Sequence, residues 1–208
     1  MGRIRQDAAS RWMALRAAQS IQTRRCSFNW HARFGPVGLM SVRDSLDDAG
    51  GSLEVHALGF IRIARISHSE DLTRGELIRY LAEIAWAPQA ILDNPALRWR
   101  QDGPDRLIVS AGSGASLAEV SLRLDNDGRI AEAFAADRPR ASGRTFAATP
   151  WRGSYSDYRL HDGFWLPFRG TAGWSVGGTE FTYAELNLTQ WETTRPTQWE
   201  TPRSAAAA

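Results

Sequence analysis

The chain contains no lysine among its 208 residues, so all 25 of its basic residues are arginine. This absence excludes a phosphate-binding P-loop and a pyridoxal-phosphate Schiff base, because both need a lysine amine. The single cysteine, Cys26, excludes an intramolecular disulfide, a redox pair of cysteines and a zinc site made of several cysteines. A free thiol is typical of a protein in a reducing compartment.

Long apolar runs are also missing. No stretch reaches the ~18 apolar residues of a membrane span, so we expect no integral membrane segment. Charged residues interrupt the N-terminal sequence before an apolar signal region can form. We therefore expect no secretory signal and a cytoplasmic location, although Met1 need not be the native start and an upstream segment stays open.

The charge pattern argues against a nucleic-acid partner. The formal net charge is only +2, and arginines alternate with acidic residues along the chain. A nucleic-acid site requires clustered basic residues, so we expect a solvated surface of mixed charge and no nucleic-acid binding. The sequence leaves the oligomeric state open.

Composition favours one folded domain. Hydrophobic residues make up 43% of the chain and charged residues 23%, which is typical of a globular protein. We expect a single β-rich domain over residues 1–193. The tail at 194–208 contains Arg195, Pro196 and Pro202 and ends in four alanines, so we expect it to be disordered.

Alternation of apolar and polar residues with a period of two predicts many strands. Turn signals such as Asp125-Asn126-Asp127-Gly128 separate them. The segment 11–19 alternates loosely and is compatible with a strand or a helix. The predicted strands cover residues 28–34, 39–45, 53–57, 61–66, 97–101, 106–111, 120–124, 129–135, 145–148, 155–160, 164–168 and 179–191.

One helix is predicted at about 74–86. Thr73-Arg74-Gly75-Glu76 matches a capping box, in which the threonine oxygen accepts from the amide three residues later. Pro88 ends the helix. One apolar stripe follows at helical spacing, formed by Leu77, Ile78, Leu81, Ile84 and Ala85. The expected fold is mainly β (α+β): a curved antiparallel sheet or half-barrel crossed by one principal helix.

No catalytic or metal-binding set is assembled in the sequence. Gly173-Trp174-Ser175-Val176-Gly177 matches the nucleophile elbow of hydrolases, but a strand follows it and no histidine or aspartate lies downstream. We interpret it as a glycine-rich hairpin. The histidines His31, His56, His68 and His161 are scattered, so we expect no metal and no cofactor.

The predicted helix carries the first candidate site residues. Arg79, Glu83 and Trp86 lie three and four residues apart and share a face beside the apolar stripe, with Tyr80 on its flank. They form either an ordinary surface ion pair or the lining of an opening under the helix. On the predicted last strand, Glu185 lies among aromatic residues, where it is either exposed or buried against an arginine.

Residues 79–88, Arg-Tyr-Leu-Ala-Glu-Ile-Ala-Trp-Ala-Pro, resemble the RYLAExxWxP signature of an uncharacterised bacterial family. Agreement extends from about Trp12 to Trp191 through spaced aromatic residues and glycines, and the resemblance implies no activity. At the level of the fold, a curved sheet crossed by a helix is similar to the lipoprotein-carrier (LolA/LolB) half-barrel. That similarity implies an apolar cavity for acyl chains.

Three functions remain open. The first is binding of a lipid or another apolar or amphipathic small molecule in the half-barrel cavity. The second is a small-molecule enzyme that uses acid/base residues in the same cavity, and the third is a non-catalytic interaction scaffold. The candidate ligand-binding residues are Arg79, Tyr80, Glu83, Trp86, Arg138, Trp151, Tyr158 and Glu185.

Overall fold

The computed structural model describes residues 1–35, 38–58, 61–67, 69–143 and 145–193. The tail expected at 194–208 and His68, one of the four scattered histidines, lie outside the described residues. Thirteen strands are described: β1 Gly2–Ile4, β2 Met13–Ile21, β3 Phe28–Phe34, β4 Met40–Asp47, β5 Gly50–Ala57, β6 Ile61–Ser67, β7 Arg98–Gln101, β8 Arg106–Ala111, β9 Ala118–Leu124, β10 Ile130–Ser142, β11 Thr145–His161, β12 Phe164–Val176 and β13 Thr179–Asn187.

All thirteen strands form one antiparallel sheet that curls into a half-barrel. The first and last strands, β1 and β13, pair with each other near the middle of the sheet. One arm runs from β1 out to β6, and the other runs from β13 out to β7. Each arm is a meander, because consecutive strands joined by short turns pair with their neighbours.

The helical segment joins the two outermost strands, β6 and β7. Helix α1 spans Glu70–Glu83, continues as a 3-10 turn over Ile84–Trp86, and is followed by the short helix α2 over Gln89–Asp93. Helix α1 contacts β4 and β5 on one arm and β8, β9 and β10 on the other. It therefore crosses the inner face of the half-barrel, which confirms the expected fold class.

The helix begins earlier than predicted, and the capping box is wrong. Ser69 is the N-cap, and its Oγ accepts from the amide of Leu72 at 3.2 Å. Thr73 lies one turn inside the helix, where its Oγ1 accepts from the amide of Gly51 on β5 at 2.9 Å. Glu76 is buried instead of reaching back to Thr73. A contact with a distant strand has replaced the local cap.

The predicted strands are found, and several are longer than expected. The segments 145–148 and 155–160 belong to the single 17-residue strand β11. Strand β12 continues to Val176 and includes Ser175, so the glycine-serine-glycine motif lies on a strand. The ambiguous segment 11–19 is strand β2, and β1 was not predicted at all. The last strand ends at Asn187 rather than Trp191.

A β-bulge interrupts the pairing of β10 with β11. Ala135 pairs with Trp151 and Arg138 pairs with Thr149, so three steps on β10 match two on β11. Pro150 lies on β11 opposite the bulge, where its missing N–H costs no ladder hydrogen bond. The extra residue reverses which face each following β10 side chain occupies. Arg138 therefore shares the inner face with Trp151.

The core lies between helix α1 and the inner face of the sheet. The predicted apolar stripe of the helix is buried there, and residues such as Val109, Leu122 and Ala133 pack against it from the sheet. Arg74 fastens the start of the helix to the bulge, because it donates to the backbone and side chain of Asp137 at 2.8 and 2.7 Å. Within the described ranges, no helix is long and apolar enough to cross a membrane.

Two glycines test this packing in opposite directions. A Cβ at Gly170 on β12 would lie 2.7 Å from Cζ2 of Trp86. A Cβ at Gly75 inside helix α1 would find its nearest neighbour, Pro139 O, at 3.6 Å. Gly170→Ala should lower the free energy of unfolding by about 1–3 kcal/mol through overpacking. Gly75→Ala should raise it by about 0.5–1 kcal/mol through helix propensity. Urea denaturation of both variants gives the two values. If Gly170→Ala has the same free energy of unfolding as wild type, the described position of Trp86 is wrong.

Candidate functional site

Arg79 is the centre of a charge cluster under the helix. Its guanidinium donates to Asp44 on β4 and to Glu83 one helical turn further on, the latter at 2.9 Å. The side chains of all three are at most 12% exposed. Burial opposes the charge on Arg79, but the carboxylates of Glu83 and Asp44 outweigh that effect and raise the pKa of Arg79. The cluster therefore joins the helix to one arm of the sheet.

Glu83 also contacts the middle of the sheet, on strand β2. Its Oε2 accepts from Nε2 of Gln19 on β2 at 2.5 Å. The Arg79 guanidinium lies 4.9 Å from the ring centre of Phe28 and 4.7 Å from that of Trp30, both on β3. A planar guanidinium can stack on aromatic rings and form ion pairs in its plane at the same time.

A second acid, Glu76, lies close enough to Asp44 for each carboxyl group to shift the pKa of the other. The oxygens Asp44 Oδ1 and Glu76 Oε2 are buried, and neither has a hydrogen-bond partner among the described residues. Two carboxylates repel, so one proton between these oxygens satisfies both. Burial and the charge of Asp44 raise the pKa of Glu76 to about 8. Glu76 therefore carries that proton at neutral pH and donates to Asp44.

Arg138 enters the same region from the opposite arm. Its guanidinium lies 5.0 Å from the ring centre of Trp151 on β11 and 5.5 Å from that of Trp174 on β12. Burial raises the pKa of both Asp44 and Glu76, and the charge of Arg138 offsets part of that rise. The β-bulge that turns Arg138 inward is therefore part of how the site is built.

Aromatic side chains continue from Arg138 along the inner face. Trp151 Nε1 donates to the Tyr183 hydroxyl at 3.1 Å. The rings of Trp174 and Tyr183 are stacked with centroids 5.9 Å apart. Arg140, two residues beyond Arg138, lies 5.8 Å from the ring centres of both Trp174 and Phe181. We call Arg138, Arg140, Trp151, Trp174 and Tyr183 the arginine–tryptophan surface.

Trp86 anchors the 3-10 turn that follows helix α1 against β12. Its Nε1 donates to the carbonyl of Pro167 at 2.8 Å, and its ring meets Tyr155 edge to face at 5.1 Å. Tyr155 in turn donates from its hydroxyl to the carbonyl of Ala82 at 2.7 Å. Trp191 Nε1 donates to the Trp86 carbonyl at 2.9 Å. These bonds fix the position of the 3-10 turn on the sheet.

Three of the residues predicted for the site lie apart from the charge cluster. Tyr80 is buried on another side of the helix, where its hydroxyl donates to Gln22 O and accepts from Asn94, each at 2.8 Å. Tyr158 donates to the carbonyl of Ile130 at 2.7 Å. Glu185 forms an exposed ion pair with Arg3. The remaining predicted residues, Arg79, Glu83, Trp86, Arg138 and Trp151, face the region under the helix.

Asp44 and Glu76 were missed by the sequence analysis, although each leaves a signal. Asp44 occupies the inward phase of β4 between Val42 and Leu46, where alternation predicts an apolar residue. Glu76 is a charged residue one turn after Leu72 on a buried side of helix α1. When the periodicity of the sequence predicts burial at a position and a charged residue stands there, a partner for that residue is expected elsewhere in the fold.

Two grooves lie on the outer face of the sheet. One has a volume of about 620 Å³ and is lined by polar side chains that include His31, Arg43 and Glu54. The other, of about 220 Å³, is lined by Arg106, Ser121, Arg123, Glu132, Phe134 and Arg152. In the part of the chain that the structure covers, no three histidine, cysteine, aspartate or glutamate side chains are grouped to hold a metal ion.

The carboxyl pair predicts how stability depends on pH. Folded Glu76 keeps its proton up to about pH 8, whereas the unfolded chain releases it near 4.5. Between these values the folded state binds more protons, so the free energy of unfolding should fall as pH rises. We expect a fall of more than about 1 kcal/mol, since one pKa unit corresponds to about 1.4 kcal/mol.

Glu76→Gln should remove this dependence, because its amide donates to Asp44 without titrating. The exposed variant Glu185→Gln is the matched control and should keep the wild-type slope. Urea denaturation at a series of pH values between 5 and 8 measures all three proteins. Equal slopes for wild type and Glu76→Gln would rule out the shared proton.

The comparisons with known proteins identify a family and no function. No curated protein and no solved structure matches the chain, so the likeness to lipoprotein carriers stays a prediction. A family model does match, over residues 1–186, and it describes a family of unknown function. The expectation of an uncharacterised family is thereby confirmed. With nearly the whole described fold inside the match, the chain belongs to the family of unknown function DUF6544.

Proposed function

We propose that the protein binds an amphipathic small molecule on the inner face of its half-barrel. The observation that carries this proposal is the arginine–tryptophan surface, whose Trp174 and Tyr183 are only half-buried although they pack against the core. Large aromatic faces that stay reachable on a concave surface are typical of ligand sites. Polar side chains beside them would orient a molecule that has one polar end.

The middle of the half-barrel supports the same proposal because its inner face is incompletely covered. Leu15 on β2 is buried on this face, but Ala17 and Gln19, two and four residues further on, are exposed. A scaffold protein would fill this face with its own side chains. Exposure of small inward residues therefore favours ligand binding over the scaffold hypothesis.

A track of buried and half-buried apolar residues lies on the inner face beside these exposed positions. The strand registers align Ala172 on β12 with Ala184 on β13, Ile4 on β1 and Met13 on β2. Three strand spacings correspond to about 14 Å, which is close to the length of an extended chain of about twelve carbons. A ligand with a single acyl or alkyl chain of this size would fit the track.

A second candidate function is acid/base catalysis in the same region. The buried Glu76 has a pKa of about 8 and lies beside Asp44, and a carboxyl group poised near neutral pH is a common feature of active sites. The protein would then consume a metabolite in a cell extract, and Glu76→Gln would abolish that turnover. Under the binding proposal, metabolite profiles before and after incubation are the same.

Calorimetric titration with dodecanoate and dodecanol tests the binding proposal, with native mass spectrometry giving the stoichiometry. Trp174→Ala should weaken binding by about 1–3 kcal/mol, as truncating an aromatic anchor does at a binding hot spot. Trp165→Ala is the control, because Trp165 is 48% exposed near the turn between β11 and β12 and contacts Arg129 instead. If the wild-type protein binds neither of these compounds nor dodecyl phosphate, the proposed function is wrong.

A further inference from the structure

Arg138 is a buried cation that forms no ion pair with any described residue. It is 8% exposed, and its Nε has no hydrogen-bond partner. Across the described ranges, its guanidinium makes no hydrogen bond and no ion pair with any side chain, and its contacts are the two tryptophan rings. Charged side chains are almost never buried unless they are paired, because desolvation of an isolated charge is costly.

The β-bulge between β10 and β11 is what places Arg138 in this buried, unpaired position. Without the β-bulge, Asp137 would face Thr149 and Arg138 would point to the outer face. The bulge brings the cation inward, and the exposed side chain of Asp137 pairs with Arg74 at 2.7 Å. The acid nearest to Arg138 in sequence is therefore used elsewhere.

The acids nearest to Arg138 across the fold are also engaged. Asp44 pairs with Arg79, and protonated Glu76 donates a hydrogen bond to Asp44. Both influence Arg138 through space, but neither accepts a hydrogen bond from it. Within the cluster, the two charges of Asp44 and Glu83 oppose those of Arg79 and Arg138, so one further inward cation has no matching acid.

That further cation is Arg140. It lies on the same face of β10 as Arg138, and its guanidinium also rests on the Trp174 ring. In the part of the chain described, Arg140 too has no hydrogen bond and no ion pair. Two guanidinium groups therefore lie over the Trp174 ring, at 5.5 and 5.8 Å from its centre. Paired guanidinium groups match the oxygens of a carboxylate or a phosphate, which they bind through charge-assisted hydrogen bonds.

We infer that the ligand carries an acidic head group, a carboxylate or a phosphate, which Arg138 and Arg140 bind above Trp174. This inference rests on the proposed function and specifies its ligand as an acidic amphiphile. The head group supplies the counter-ion that the fold omits. The apolar chain then lies along the track from Ala172 to Met13, away from the arginines.

Three probes with the same twelve-carbon chain separate the head group from the chain: dodecanoate, dodecyl phosphate and dodecanol. Wild-type protein should bind the two acids about ten- to a hundredfold more tightly than the alcohol, as expected for hydrogen bonds to a charged group. Inorganic phosphate alone, as a fourth titrant, distinguishes a site for the head group from a site that also needs the chain. A higher affinity for dodecyl phosphate than for phosphate supports the amphiphile.

Arg138→Gln and Arg140→Gln should each reduce the preference for the acids over dodecanol and leave dodecanol binding close to that of wild type. Arg123→Gln is the control, because Arg123 lies on the outer face beside Glu132 and should keep the preference. Arg138→Lys keeps the charge but loses the planar, forked set of N–H donors. This variant should retain part of the preference for the acids.

The outcomes separate the two proposals. Equal affinity of wild-type protein for dodecanoate, dodecyl phosphate and dodecanol would overturn the acidic head group while the binding function stands. Binding of none of the three would overturn the function itself. Because the comparison of probes needs only wild-type protein, the test does not depend on whether Arg138→Gln folds. Equally tight binding of phosphate and dodecyl phosphate would overturn the amphiphile and leave an anion site.

Discussion

The ion pairs of Arg79 hold the crossing helix against the half-barrel. One side chain joins an acid on its own helix, Glu83, to an acid on β4, Asp44, and its plane rests on two aromatic rings of β3. Removing one partner of a buried pair typically costs 3–5 kcal/mol, since it leaves the other charge uncompensated. The position of the helix, the proton on Glu76 and the shape of the space beneath all depend on this attachment.

The absence of lysine gains a structural meaning from these contacts. Arginine guanidinium groups lie over aromatic rings at several places in the sheet, on both faces, including Arg79 over Trp30, Arg129 over Trp165 and Arg159 over Phe168. A guanidinium can stack and pair in its plane at once, which a compact ammonium cannot do. In this chain, basic residues and aromatic residues are therefore joint components of the packing rather than separate surface and core populations.

Local patterns predicted the architecture, and non-local contacts decided the site. Alternation located strands such as β3 and β8, and helical spacing located the buried stripe of α1, because both depend on neighbours in sequence. The inward direction of Arg138 depends on an insertion in one strand relative to another, which no local period reveals. Thr73 shows the converse: its sequence context matches a cap, but a β5 amide 22 residues away binds its hydroxyl.

The pairing of β1 with β13 sets an order of events during synthesis. Each arm can form its own hairpins as it leaves the ribosome, but the two arms are joined through the sheet only where the earliest strand meets the latest. Until then the helix can pack against both arms, but no strand pairing joins the two arms to each other. The half-barrel is thus completed only when β13 is available, and contacts of such long sequence separation form slowly. Before β13 pairs with β1, the chain would form two separate sheets. Each would have an exposed edge strand that must avoid pairing with another chain.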